Sequence, residues 1–196
     1  MKPVSRRNYV IAVAGSIGIA GCMDSGGNDS KEGNNGSAVP EDLHGKVTFT
    51  TPGVDDGKVQ KKFTCDGEGK QPSVKIEEAP SKTEFYALTL TDPDAPGDTF
   101  THWIIWNIPT GKEVPSGLPK SKKVMDGARQ GLNSNRKVGY TPPCPPAGHD
   151  PHRYVFTAYA LSSELDVDGG AKKKDVVEAI EDKAVGRGRT TGTYGR

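Results

Sequence analysis

The chain has almost no net charge: 26 Lys and Arg stand against 25 Asp and Glu. No overall field is available to gather nucleic acid or an acidic substrate. The heavy acidic excess expected of a high-salt cytoplasm is missing too. Hydrophobic residues are scarce at 33%, whereas Gly (25) and Pro (15) are abundant, which argues against a helix bundle and for a loop-rich, mainly β fold. There is no internal repeat and no alternation of strand with helix of the kind that builds a parallel sheet. The apolar run near the N-terminus, residues 11–20, is too short to span a bilayer. Cysteines number three, Cys22, Cys65 and Cys144. At 196 residues the chain suffices for one ordinary domain plus a leader.

What is present begins with that leader. Arg6-Arg7, the apolar run and Ile19-Ala20-Gly21-Cys22 form a charged region, a short hydrophobic region and a small-residue cleavage site in one register. They resemble a twin-arginine secretion signal with a lipobox. Resemblance to prokaryotic lipoproteins implies cleavage before Cys22, a lipid on its sulfur and a location on the outer face of the cell membrane. Residues 23–42 are rich in Gly, Ser, Asn and acids, a composition expected of a flexible tether. The expected organisation is therefore a signal at 1–21, a lipidated cysteine and linker at 22–42, and one domain at 43–196.

Within the domain, residues 85–90, 103–108 and 154–161 are short runs rich in aromatic and β-branched residues and read as buried strands. Residues 47–50 alternate like a half-buried or edge strand, and 74–76 form a short strand candidate. Residues 127–133 have no useful periodicity and read as coil packed across the pocket side. Val176, Val177, Ile180 and Ala184 share one face of a helix over 175–184. Gly186 and Gly188 are expected to end it, with 190–194 returning as a short edge strand. These elements predict an antiparallel β-sandwich with a peripheral C-terminal helix.

Two proline-stiffened loops carry the candidate chemistry. Asp92-Pro93-Asp94-Ala95-Pro96 sits between the first two strong strands, with His102 opening the second. Thr141-Pro142-Pro143-Cys144-Pro145-Pro146 leads to His152-Arg153-Tyr154 at the mouth of the third. Carboxylates and imidazoles from both loops can share one rim, where ring N–H groups, the Tyr154 phenol and loop amides would form a donor array backed by acids. Such an array suits a phosphate ester. Taken singly, each motif is also an ordinary tight turn or strand cap.

The order DPDAP, THW, CPP, HRY, together with FTCDGEGKQPSV at 63–74 and the terminal GTYGR, resembles the phosphatidylethanolamine-binding protein family. The resemblance is to its YbhB/YbcL branch, related to the Raf kinase inhibitor proteins, and runs from about Val47 to the C-terminus. It implies two packed sheets, a cis Ala95–Pro96 bond and a small phosphate or phosphoethanolamine pocket. Asp92, Asp94, His102, His152 and Tyr154 would line that pocket, with Pro145 and Pro146 as its wall. An ammonium group could find a carboxylate or the faces of Trp103 and Trp106. Pro142 departs from the family's glycine and removes an N–H there. No cofactor, resident metal or nucleic-acid partner is implied.

The functional expectation is binding of a small phosphate-bearing ligand without catalysis. Alternatives are a protein inhibitor of a protease or kinase acting through the pocket loops, a metal-dependent phosphoesterase using the two Asp and two His, and an envelope protein with a vestigial pocket. Cys65 and Cys144 could pair outside the cytoplasm or remain free thiols. Lys172, Lys173 and Lys174 read as a solvated helix start, with attraction to membrane phosphates as the competing reading.

Overall fold

The computed structural model describes residues 45–196. The expectations for the secretion signal, Cys22 and the linker lie outside the described residues. Among the described residues nine strands and one α-helix follow one another: β1 (Thr48–Thr50), β2 (Val54–Asp55), β3 (Lys58–Val59), β4 (Lys75–Glu78), β5 (Phe85–Asp92), β6 (Phe100–Pro109), β7 (Arg129–Gln130), β8 (His152–Leu161), α1 (Lys173–Lys183) and β9 (Ala184–Tyr194). Seven of the strands form one sheet in the order β2-β3-β9-β8-β5-β6-β7, and β1 with β4 forms a second, two-stranded sheet. Every named pair is antiparallel except β3 with β9. The mainly β sandwich with a C-terminal helix is thus present, with one sheet much larger than the other.

The continuous apolar runs have a direct cause. β5, β6 and β8 are central and covered on both faces, so side chains of either parity must be apolar. On one face Leu88, Leu90, Trp103, Ile105, Phe156 and Ala158 pack with Val47, Val74, Phe49 and Ile76 of the small sheet and its approaches. On the other, Ala87, Ile104, Trp106 and Tyr159 pack against Val176, Val177 and Ile180 of α1. The helix therefore lies on the outer face of the large sheet.

Three sequence expectations change. The C-terminal strand is neither short nor at an edge: β9 runs from Ala184 to Tyr194 between β3 and β8. Its glycines are sites of close approach, since a Cβ on Gly188 would lie 1.9 Å from the Val47 carbonyl oxygen. Residues 127–133 are not plain coil, because Arg129 and Gln130 pair with Trp106 and Ile105 as an edge strand. Buried Gln130 accepts from the Trp103 indole (2.7 Å) and donates to the carbonyls of Pro119 and Ser121. Finally, Ala95–Pro96 is trans, as is every peptide bond among the described residues. The turn is held instead by side chains, Asp92 Oδ1 accepting from the Asp94 amide at 2.9 Å.

Candidate functional site

β5 ends where β6 and β8 begin, and antiparallel pairing brings Asp92, His102, His152 and Tyr154 to one end of the large sheet. They line a cavity of about 290 Å³ together with Ala95, Pro96, Phe100, Asn135, Thr141, Pro142, Cys144, Pro145 and Pro146. Its floor is polar and its walls are largely proline and aromatic. No Lys or Arg lines it.

On the floor, His152 and Asp92 form a buried pair, Nδ1 to Oδ2 at 2.8 Å. The carboxylate fixes the proton on Nδ1, and Nε2 is the ring nitrogen left for a ligand. His102 Nδ1 lies 2.9 Å from the Thr141 carbonyl oxygen. A carbonyl only accepts, so Nδ1 carries the proton. Burial pulls the His102 pKa below its usual value, which keeps Nε2 unprotonated as an acceptor. Tyr154 is fully buried with its ring edge-on to His102, centroids 5.3 Å apart. Its hydroxyl has no hydrogen-bond partner. Burial first, and the Asp92 carboxylate second, push the phenol pKa up, so this group is a protonated donor without an acceptor.

Asp94 is not part of this floor. Arg153 donates to it three times, from the backbone N (2.8 Å), Nε (2.8 Å) and a terminal nitrogen (2.6 Å). That fork lowers the Asp94 pKa to about 2. Side chains alternate along β8, so Arg153 points away from the side shared by His152 and Tyr154 and takes Asp94 with it. Asp94 lines a neighbouring polar groove with His149, Asp150 and Arg153, and His152 is the wall common to both. Trp103 and Trp106 are fully buried, one on each face of the sheet, so neither offers a face to an ammonium group.

The proline loop also supplies fewer donors than expected, because four of the positions 142–146 are proline. Pro142 takes part as wall. Cys144 is bonded to Cys65, with Cα atoms 5.4 Å apart, and the Cys65 amide donates to the Pro143 carbonyl at 3.0 Å. The pocket loop is therefore fastened to the loop after β3.

A family model described as phosphatidylethanolamine-binding protein matches residues 50–195. The chain belongs to the phosphatidylethanolamine-binding protein family. A UPF0098 protein of Methanothermobacter thermautotrophicus is 41% identical over 145 residues, 72% of this chain and 93% of that protein. The Mycobacterium tuberculosis protein LppC, described as a candidate lipoprotein, is 31% identical over 187 residues, 91% of this chain and 90% of its own. Among solved structures, Escherichia coli YbcL, a member of the same family, superposes with a TM-score of 0.70 at 26% identity, over 77% of this chain and 99% of YbcL. The candidate family homologue CT736 of Chlamydia trachomatis gives 0.68 at 30% identity, over 77% and 98%.

Measured against the sequence expectations for this family member, Asp92, His102, Pro145, Pro146, His152 and Tyr154 meet in one cavity and Asp94 stands beside it. Phe100 was missed, although it lies two residues before His102 on the same strand and so shares its face. Asn135 and Thr141 were missed as well. Asn135 is presented by a loop whose Ser134 amide donates to the Thr101 carbonyl, a long-range contact with no local signal.

Proposed function

We propose that this protein is an extracytoplasmic, membrane-tethered binder of a small anion, phosphate or a phosphorylated head group, and that it performs no chemistry on that ligand. The carrying observation is the Tyr154 hydroxyl, buried without an acceptor at the floor of the cavity. Leaving such a donor unpaired costs about 1–3 kcal/mol, which a ligand oxygen would recover. His152 supports the same ligand: with Nδ1 bonded to Asp92 at 2.8 Å, Nε2 is the ring nitrogen it can offer to the cavity it lines. With no Lys or Arg in the lining, the fit of a small anion among directed donors, rather than bulk attraction, sets selectivity.

Location is supported on separate grounds. A disulfide between Cys65 and Cys144 suits an oxidising compartment. Arg6-Arg7 and the Gly21-Cys22 junction support export and lipidation, as does similarity to a candidate lipoprotein. A phenol that burial keeps protonated, and so unactivated, supports the reading of binding without chemistry.

Titration with phosphate, phosphoethanolamine and nucleotides, followed by calorimetry and by the ring signals of His102 and His152, tests the binding reading. Saturable shifts in both rings are expected, with no phosphate ester cleaved in the same samples. Unmoved rings with every anion would refute it. Replacing Cys22→Ser should move the protein from the membrane to the soluble fraction.

A further inference from the structure

Charge is even over the chain but not over its surface. Residues 119–140 hold six Lys and Arg against one acid, Asp126, and residues 169–174 hold three Lys and no acid. These two segments are sewn together at the β7 edge of the large sheet. Lys123 bridges Arg129. The Gln130 amide donates to the Lys122 carbonyl (3.0 Å), Gly170 to Gln130 (2.8 Å), Leu132 to Ala171 (2.9 Å) and Asn133 to Lys137 (2.9 Å). Lys120, Lys122, Lys123, Arg136, Lys137 and Lys172 are all exposed.

The ion pairs of this region are Lys112–Asp126, Arg129–Asp168 and Lys174–Glu178. None of the six exposed cations is in an ion pair among the described residues. Asp166 and Asp175 border the patch in sequence. Two of these cations, Arg136 and Lys137, also lie beside the pocket, because Asn135, next to them in the chain, lines the cavity, and Ser134 is bonded to Thr101 next to His102.

We propose that this basic face docks on the anionic head groups of the bilayer to which the domain is tethered, and thereby turns the mouth of the anion pocket towards the head-group layer. The proposal rests on the tether reading above but not on the identity of the pocket's ligand. A lipid on Cys22 followed by a linker of this composition would hold the domain within about 30 Å of the surface. Cations near an anionic leaflet are attracted to it within about a Debye length of the surface. Six exposed cations carried by segments joined at the β7 edge would then choose the orientation that the tether leaves open.

The test uses the full chain carrying Cys22→Ser, so that no lipid anchors it, and vesicles of phosphatidylcholine with or without phosphatidylglycerol. Two triple variants of equal net charge are compared: Lys122→Glu, Lys137→Glu and Lys172→Glu on the face, and Lys58→Glu, Lys61→Glu and Lys82→Glu elsewhere. The N-terminal segment is common to all and cancels. The expected result is preference of the parent for phosphatidylglycerol vesicles, weakened by salt and lost by at least about tenfold in the face variant alone. Equal losses in both variants, no dependence on anionic lipid, or retention on DNA or heparin without vesicle preference would overturn it. Phosphate titration of the face variant keeps the two readings apart, since ring shifts of His102 and His152 should survive when docking is lost.

Discussion

The hydroxyl of Tyr154 and the ring of His102 make opposite demands on a ligand, and each yields a prediction. Tyr154→Phe removes an unpaired buried donor, so the empty protein should be about 1–3 kcal/mol more stable in urea. Phosphate affinity should fall about five- to tenfold, the worth of one hydrogen bond. A phenylalanine variant that binds as tightly as the parent would show the hydroxyl idle. His102 is held neutral by burial. The unfolded chain therefore takes up a proton more readily than the native one below about pH 6.5, and stability should decline as pH falls through that region. An anion beside Nε2 reverses the preference and favours the imidazolium, so binding takes up a proton. Affinity for sulfate, whose own charge is constant here, should rise as pH falls from 8 towards 6 (about one to two pH units around the histidine range), and should lose that slope in His102→Gln. Calorimetry in buffers of different ionisation enthalpy checks the proton uptake directly. Asp94 stands beside the cavity rather than in it for a reason its motif does not carry: a carboxylate in the right turn is claimed by Arg153, whose side of β8 is set by strand parity.

Among the elements, β5, β6, β8 and α1 were legible because each is written in a dense local pattern, an apolar run or a helical stripe. β9 was not, and the reason lies in its glycines. Read locally, Gly186, Gly188 and Gly192 stop a helix and weaken a strand. In the fold they admit neighbouring backbone: a Cβ on Gly186 would meet the Gly45 carbonyl at 2.8 Å, and one on Gly192 the Val59 nitrogen at 3.0 Å. Close approach between segments more than a hundred residues apart leaves no trace in a sequence window. Gly188→Ala should therefore cost about 1–3 kcal/mol, by overpacking against Val47. Hydrogen exchange locates the damage: the amides of Val47 and Arg187, bonded across this contact to Arg187 and Gly45, should lose protection before those of β5 do. Uniform loss across the sheet would place the strain elsewhere. β7 escaped notice for a related reason, since two residues beside an edge carry no period at all.

The parts depend on one another through the loop that bears Cys144. Its prolines give stiffness but little backbone hydrogen bonding, so its position rests on what it is fastened to. The Cys65 bond spans a sequence separation of 79. Around it, Asp66 receives the Tyr194 hydroxyl and pairs with Arg196 at 3.2 Å, while Tyr140 donates to the Phe63 carbonyl at 2.6 Å. The end of β9, the loop after β3 and the pocket wall thus meet at one knot, and the pocket's shape is a property of all three. A cross-link closing so long a loop stabilises by about 2–4 kcal/mol, in large part by restricting the unfolded chain. The double variant Cys65→Ser, Cys144→Ser should therefore unfold at lower urea by that amount. Its phosphate affinity should fall several-fold even where it remains fully folded, because Pro145 and Pro146 lose their anchor while Asp92, His102, His152 and Tyr154 stay in place on the strands. Parent protein treated with a dithiol reductant should match the variant in both measurements. Unchanged affinity in a folded, disulfide-free protein would mean that the strands alone define the pocket and that the proline wall only covers it.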